Sequence, residues 1–285
     1  MSEKQLRIGQ ISYTNTLPVY FFFDQQRFSE QIDFIQQVPA QLNRAMANGT
    51  IDVGPISSFG YAEHFDQYYM LPDLSVSAKR KVGSLYLFSK RPIEELDGAK
   101  IRLTNTSATT VNLVKIILAK FLHFNVIYET QAPHLAEMMQ DADGAVLIGD
   151  DAIVEYRNNK TYYSYDLAEL WYRFTGLSMT FAVWAVRKEA TRKHADLLRE
   201  VHASFLQSKK RSLANLQPLV EAVATKFGGE PAFWFEYFRG LCYDFTKEEQ
   251  KGLEYYFACA TELGLLPGPV KIRIWEDIIQ RNTLR

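Results

Sequence analysis

The first third of the chain alternates short apolar runs with helix-like segments, and this alternation limits the possible folds more than any other feature. Apolar runs bounded by turn residues predict strands, and the segments between them predict helices. The predicted strands cover residues 6–11, 32–38 and 51–56, and the predicted helices cover residues 17–28 and 39–48. A β-α-β-α-β order predicts a mostly parallel sheet that is covered by helices on both faces.

The same alternation begins again near residue 100 and predicts a second α/β unit. A short strand there precedes a long amphipathic helix that begins near Ser107, and a later strand over 181–186 is followed by a mostly helical end. We therefore predict an α/β fold in which residues 1–89 and 180–285 form one lobe and residues 90–179 form an inserted lobe. Two lobes joined by two chain crossings are typical of the type II periplasmic-binding-protein-like fold, whose mixed, mostly parallel sheets face a ligand cleft between the lobes.

Composition excludes several classes of function. The formal net charge is −1 and no basic block is present, so a nucleic acid is not expected as a partner. No apolar run approaches the roughly 18 residues that a membrane helix needs, and the N-terminal residues show no signal-peptide pattern. These features predict a cytoplasmic protein with a small-molecule partner and no membrane partner. Cys242 and Cys259 lack metal-type spacing and are predicted to be reduced thiols.

Polar segments occur at four predicted strand-to-helix junctions. They cover residues 12–16, 54–58, 104–110 and 149–151. Ligands of open α/β sheets bind outside the carboxyl ends of the strands, so all four junctions would face the cleft. Backbone N–H groups at helix starts, together with Ser and Thr hydroxyls, suit a carboxylate or a phosphate. The alternative is that each hydroxyl only caps its own helix.

The chain lacks the motifs of the best-known catalytic and cofactor sites. It contains no HExxH, no clear Ser/His/Asp arrangement, no P-loop and no GxGxxG, so we predict no metal and no cofactor. Asp150 and Asp151 are adjacent and would point to opposite faces of a strand, which argues against shared chemistry and favours a helix cap. Gly83 and Ser84 precede an apolar strand and indicate either a bend or a close approach of a ligand to the backbone. What remains is binding, or a reaction driven by orientation and electrostatic stabilisation.

Several motifs occur in a fixed order along the chain. They include residues 51–58 (IDVGPISS), 71–74 (LPDL), 107–110 (SATT), 147–152 (LIGDDA) and 181–185 (FAVWA). In order and spacing, these motifs and the first loop resemble the chorismate dehydratases of the futalosine route of menaquinone biosynthesis, over roughly residues 6–187. The departures are mild: Thr110 stands where Ser is common, and residues 176–181 lack an expected proline.

This resemblance implies both a fold and a reaction. The family has the two-lobe fold and eliminates water from chorismate to give 3-[(1-carboxyvinyl)oxy]benzoate, as a carbon–oxygen lyase without a cofactor. Its mechanisms use the substrate's own enolpyruvyl carboxylate as proton acceptor, which agrees with the absence of His, Lys, Arg, Asp and Glu from residues 12–16. By resemblance, Asn15 orients the substrate or the departing hydroxyl, and Ser84 holds the substrate. The further predicted substrate contacts are Ser12, Ser57, Ser58, Ser107, Ala108, Thr109, Gly149 and Asp150.

Two other functions are open at this point. A solute-binding protein for a small aromatic or anionic ligand would have the same architecture, although the missing export signal argues against it. The sister enzyme that forms a dihydroxynaphthoate in the same pathway also shares the architecture. Its first loop typically contains Pro and Cys, unlike residues 12–16 of this chain.

Overall fold

The computed structural model of the protein describes residues 6–275 and contains two five-stranded sheets surrounded by helices. The strands are β1 (Leu6–Ile11), β2 (Ile32–Gln37), β3 (Val53–Ser57), β4 (Tyr68–Ala78), β5 (Leu85–Ser89), β6 (Lys100–Thr104), β7 (Ile127–Gln131), β8 (Gly144–Ile148), β9 (Tyr163–Asp166) and β10 (Met179–Arg187). The helices are α1 (Leu17–Tyr20), α2 (Pro39–Ala47), α3 (Ser58–Glu63), α4 (Thr109–Ile116), α5 (Leu135–Met138), α6 (Gly149–Asn158), α7 (Leu167–Thr175), α8 (Lys188–Lys193), α9 (Ala195–Ala214), α10 (Gln217–Phe227), α11 (Pro231–Gly240) and α12 (Lys247–Glu262).

Both sheets are mixed and follow the same plan. The strand order is β2-β1-β3-β10-β4 in the first sheet and β7-β6-β8-β5-β9 in the second. In the first sheet β10 runs antiparallel to β3 and β4, and in the second β5 runs antiparallel to β8 and β9. The remaining pairings are parallel, so parallel pairs make up half of each sheet. This arrangement confirms the predicted two-sheet α/β fold with mixed sheets. The prediction that the sheets are mostly parallel is wrong, because β10 and β5 each pair antiparallel with both of their neighbours.

The chain passes between the sheets twice, after β4 and before β10. Strand β5 pairs with β8 and β9, so residues 85–89 belong to the second sheet although the sequence prediction assigns them to the first lobe. The apolar strand that follows Gly83 and Ser84 begins at Leu85, because Gly83 turns the backbone with a φ of +69°. The division into two lobes stays a proposal, and sheet membership moves its first boundary to the β4–β5 link.

The local predictions are wrong in two situations. In one an apolar run contains a turn, and in the other turn residues occur within a strand. The predicted helix over residues 17–28 is wrong beyond Tyr20, because the chain turns so that Phe23 and Phe28 stack with their ring centroids 5.4 Å apart. Strand β4 was not predicted, since Pro72 and Asp73 interrupt it and Asp73 has a φ of +56°. The helix predicted over 165–174 begins at Leu167, after the short strand β9.

The C-terminal helices pack on the first sheet and reach the second. Helix α9 contacts α1 and β4, and α12 contacts β10, α3 and α4. Helix α12 thus lies against elements that follow strands of both sheets. Cys242 and Cys259 are both free thiols. Within residues 6–275, no helix is long and apolar enough to cross a membrane.

Candidate active site

The polar junctions predicted from the sequence meet between the two sheets, in two pairs. Residues 12–16 contact the start of α6, where Thr14 Oγ1 donates to Asp150 Oδ1 at 2.6 Å. The segment after β3 contacts the start of α4, where Phe59 N donates to Thr109 Oγ1 at 2.9 Å. The carboxyl ends of the strands therefore face one another, as expected for open α/β sheets.

Asp150 joins the two sheets through one carboxylate oxygen. Its Oδ1 accepts from the Thr14 backbone N–H at 3.1 Å as well as from the Thr14 hydroxyl. Burial raises the pKa of Asp150, and the hydrogen bonds from Thr14 oppose that rise. Its neighbour Asp151 is exposed. The two carboxylates therefore lie in different environments: Thr14 binds Oδ1 of Asp150, and a substrate contact by Asp150 stays a prediction.

Gly149 lies between the first loop and the β4–β5 link. Its φ is +65°, and an added Cβ would lie 2.7 Å from the Tyr13 ring. Its N–H donates to the Ser84 carbonyl at 2.8 Å. Only glycine combines this backbone conformation with such a close approach.

Ser57 and Ser58 have partners within the part of the protein around the first sheet. Ser57 caps α3, with its hydroxyl accepting from Gly60 N at 3.0 Å and from Asn43 Nδ2 at 2.8 Å. The Ser58 hydroxyl is fully buried and donates to the Thr180 carbonyl at 2.7 Å. The structure therefore agrees with the alternative that Ser57 caps its own helix. Ligand contacts of both residues stay a prediction.

The hydroxyls at the start of α4 have two roles. One caps the helix, and another contacts the segment that follows β3 of the first sheet. Ser107 Oγ accepts from Thr110 N at 3.1 Å, and Ala108 occupies the position just before the helix. The Thr109 carbonyl accepts from the Tyr256 hydroxyl at 3.0 Å, which joins α12 to this helix start. Substrate contacts by Ser107, Ala108 and Thr109 stay predictions.

Asn15 and Ser84 have the least satisfied polar groups among the predicted residues. Asn15 lies in a single 3₁₀ turn after β1, and its buried Oδ1 has no hydrogen-bond partner within residues 6–275. Ser84 is fully buried, and within residues 6–275 its hydroxyl forms only a long contact of 3.5 Å with the Val82 carbonyl. Ser12 is half-buried, and its N–H donates to the Gln37 carbonyl at 3.0 Å. Leaving a buried polar atom unpaired costs about 1–3 kcal/mol, and a ligand that bonds to such an atom would remove that cost.

Two residues of this region were not predicted from the sequence. Asp166 accepts from Val82 N at 3.0 Å and from Gly83 N at 2.7 Å, and thereby fixes the turn before Ser84. Burial raises the pKa of Asp166 to about 6. An Asp before a helix is an N-cap signal that would have found it. Tyr237 has a buried hydroxyl that faces the Ser84 side chain, and no motif in its helix indicates this position.

The arrangement favours chemistry by neutral groups. Within the described part of the chain, His, Cys, Asp and Glu side chains form no group of three or more that could hold a metal ion. Hydroxyls, an amide and helix starts can bind and orient an anionic ligand through hydrogen bonds.

The two sheets and their facing strand ends define the periplasmic-binding-protein-like fold. The alkanesulfonate-binding protein SsuA from Xanthomonas axonopodis pv. citri, bound to MOPS, has a TM-score of 0.71 with 16% identity and covers 95% of this chain and 96% of its own. Protein AF1704 from Archaeoglobus fulgidus has a TM-score of 0.68 with 18% identity and covers 92% of this chain and 98% of its own. At these identities the likeness concerns the fold alone.

Sequence comparison identifies the family to which the chain belongs. The sequence profile of the family described as "Menaquinone biosynthesis" matches residues 6–262. A chorismate dehydratase from Thermus thermophilus is 31% identical in an alignment over 279 residues that covers 92% of this chain and 97% of that protein. The chain therefore belongs to the menaquinone-biosynthesis family.

Proposed function

We propose that the protein is a chorismate dehydratase, a hydro-lyase that converts chorismate to 3-[(1-carboxyvinyl)oxy]benzoate. The observation that supports this most directly is the 31% identity to the Thermus thermophilus chorismate dehydratase along nearly the whole of both chains. A cytoplasmic location and the two-lobe division of the chain belong to the same proposal.

The reaction breaks two bonds of the substrate and forms a benzene ring. The ring carbon that bears the ether loses its proton, and the neighbouring carbon loses its hydroxyl as water. Both electron pairs stay within the two products, so no oxidant or reductant is needed. The substrate's enolpyruvyl carboxylate takes the ring proton, as the family resemblance implies, and that proton then passes to the departing hydroxide, which leaves as water.

The protein's contribution is then to orient the substrate and stabilise its charges. Asn15 Oδ1 has no partner among residues 6–275 and is able to accept a hydrogen bond from a substrate hydroxyl. The Ser84 hydroxyl, with only a long contact of its own, is able to donate to a substrate oxygen. Preorganised groups of this kind lower the barrier because they need not rearrange during the reaction.

The decisive experiment is incubation of the purified protein with chorismate, with loss of water followed by mass spectrometry. Turnover to the benzoate product is the expected result. Tight binding without turnover would favour a solute-binding protein, the class to which the SsuA structures belong. Conversion of a cyclic futalosine instead of chorismate would indicate the sister enzyme, and absence of any interaction with chorismate would overturn the proposal.

A further inference from the structure

Helix α11 lies beside the β4–β5 link that carries Ser84. An added Cβ on Gly83 would lie 3.1 Å from Tyr237 Cδ2, and one on Gly240 would lie 3.6 Å from the Lys81 carbonyl. Directly after the helix, Cys242 N donates to the Ser77 carbonyl at 2.8 Å, so the helix end is attached to β4. These contacts hold the side chain of Tyr237 at the turn before Ser84.

The Tyr237 hydroxyl is a buried polar group without a partner. The residue is 6% exposed, and its hydroxyl forms no hydrogen bond within residues 6–275. The hydroxyl nevertheless lies near the side chains of Ser84 and Thr14. Burial raises the pKa of this phenol, with Ser84 opposing the rise, so the group stays protonated at neutral pH. Buried tyrosine hydroxyls usually have a hydrogen-bond partner, and this one has a proton to donate.

Asn15 supplies an unpartnered acceptor at this end of the site. Asn15 follows Thr14 in the same turn, and its Oδ1 is buried without a partner. The Thr14 hydroxyl already donates its proton to Asp150. A ligand that both accepts from a phenol and donates to an amide oxygen would satisfy Tyr237 and Asn15 together, and an alcohol hydroxyl has this chemistry.

We propose that Tyr237 is a third polar residue of the active site and donates a hydrogen bond to the substrate hydroxyl that departs as water. The proposal rests on the proposed dehydratase activity and adds a residue from the C-terminal helices to it. Negative charge develops on the departing oxygen as its bond to carbon breaks. The hydrogen bond from a fixed donor to that oxygen is stronger in the transition state than in the ground state. It therefore raises kcat.

The test replaces Tyr237 by phenylalanine, which removes the hydroxyl and keeps the ring. We expect Tyr237→Phe to lower kcat for chorismate at least about tenfold, with a smaller change in KM. Its melting temperature should stay close to that of the wild type, because the hydroxyl has no protein partner to lose. Wild-type kcat in a folded Tyr237→Phe protein would overturn the inference.

The matched control is Tyr68→Phe. Tyr68 is fully buried and also has an unpartnered hydroxyl, but it pairs with Arg187 at the opposite end of the first sheet from Ser57. Tyr68→Phe should keep the wild-type kcat. An equal loss in both variants would assign the effect to general packing and would refute a place for Tyr237 in the site.

A double-mutant cycle with Asn15→Ala tests whether the two residues hold the same oxygen. Groups that act on one atom are non-additive, so the double variant should lose less than the product of the two single losses. If the loss in the double variant equals the product of the two single losses, the idea that Tyr237 and Asn15 bind the same hydroxyl is wrong. Failure of the wild-type protein to convert chorismate would instead reject the proposed function, and the two failures are therefore distinguishable.

Discussion

Among single residues, hydrogen-bond partners separate two groups of predicted site residues. Ser57, Ser58 and Asp150 have good partners within the protein, at 2.6 to 3.0 Å, and these bonds shape the strand ends. Asn15 Oδ1 has none, and Ser84 has only its long contact with Val82. The first group builds the site, and the second has bonding capacity left for a substrate.

Alanine replacement tests this division. Asn15→Ala and Ser84→Ala should each lower chorismate turnover by at least about tenfold, or about 1.4 kcal/mol in the barrier, because each removes an orienting group. Steady-state kinetics and circular dichroism on the same preparations measure activity and folding. Ser212→Ala is the control, since its hydroxyl is also buried and unpartnered but lies in α9, outside the polar junctions. Wild-type turnover in both site variants would refute the assignment.

A second test at a single residue replaces Gly149. Alanine there meets the Tyr13 ring at 2.7 Å and also takes a φ of +65°, whereas Gly264 has a φ of +69° with nothing within 4 Å of an added Cβ. Gly264→Ala should therefore cost only the backbone strain of roughly 1–2 kcal/mol. Gly149→Ala should cost more and also reduce turnover. Equal free energies of unfolding from urea titration would show that the contact with Tyr13 does not matter.

Among the secondary-structure elements, the start of α7 supports the link between β4 and β5. Asp166 Oδ1 accepts from Ala168 N at 2.9 Å and caps the helix, while Oδ2 accepts from Gly83 N at 2.7 Å. One carboxylate thus connects a helix start with the turn that carries Ser84. An amide side chain has a single acceptor oxygen and cannot serve both sides.

Asp166→Asn should therefore keep the helix cap and lose the bonds to the turn. We expect destabilisation of about 2 kcal/mol in urea unfolding and lower turnover. The folded-state pKa of about 6 lies above the ordinary value of 3.8. The folded protein therefore holds this proton longer than the unfolded chain, and the group's contribution to stability falls as pH rises from about 4 to about 6. The stability advantage of the wild type over Asp166→Asn should shrink over that pH range, and an advantage that grows with pH would contradict this account.

For the whole molecule, the two sheets are joined by few side chains at the cleft. Thr14 with Asp150, and Phe59 with Thr109, connect the loops at the strand ends directly. Helix α12 adds the bond from Tyr256 to the Thr109 carbonyl. These contacts hold the strand ends face to face, and their strength sets how easily the sheets separate.

Asp150→Ala should weaken the connection between the sheets. Removing Oδ1 leaves the buried Thr14 N–H and hydroxyl without their acceptor. We expect KM for chorismate to rise about tenfold, which corresponds to about 1.4 kcal/mol, and the radius of gyration from small-angle X-ray scattering to increase. The adjacent Asp151 is exposed, so Asp151→Ala provides the control. Identical scattering from wild type and Asp150→Ala would argue against a connecting role.

The sequence predicts the α/β rhythm and the polar strand ends, because both follow from local patterns of apolar and polar residues. It does not predict β4, where Pro72 and Asp73 interrupt the strand pattern within a buried strand. The sequence does not predict a place for Tyr237 in the site, for a different reason. Its helix shows only a buried aromatic face, and its approach to Ser84 depends on how α11 packs on a link far away in the chain.

The location of Ser84 has a consequence for the catalytic cycle. Ser84 lies on the link between β4 of the first sheet and β5 of the second, whereas Thr14 and Asn15 follow β1 of the first sheet. Any motion that parts the sheets to release product also changes the distance between Ser84 and these residues. In the proposed enzyme, opening would therefore separate the residues that we propose for catalysis, and closure around each new substrate would bring them together again. The proposed reaction would then take place only in the closed form.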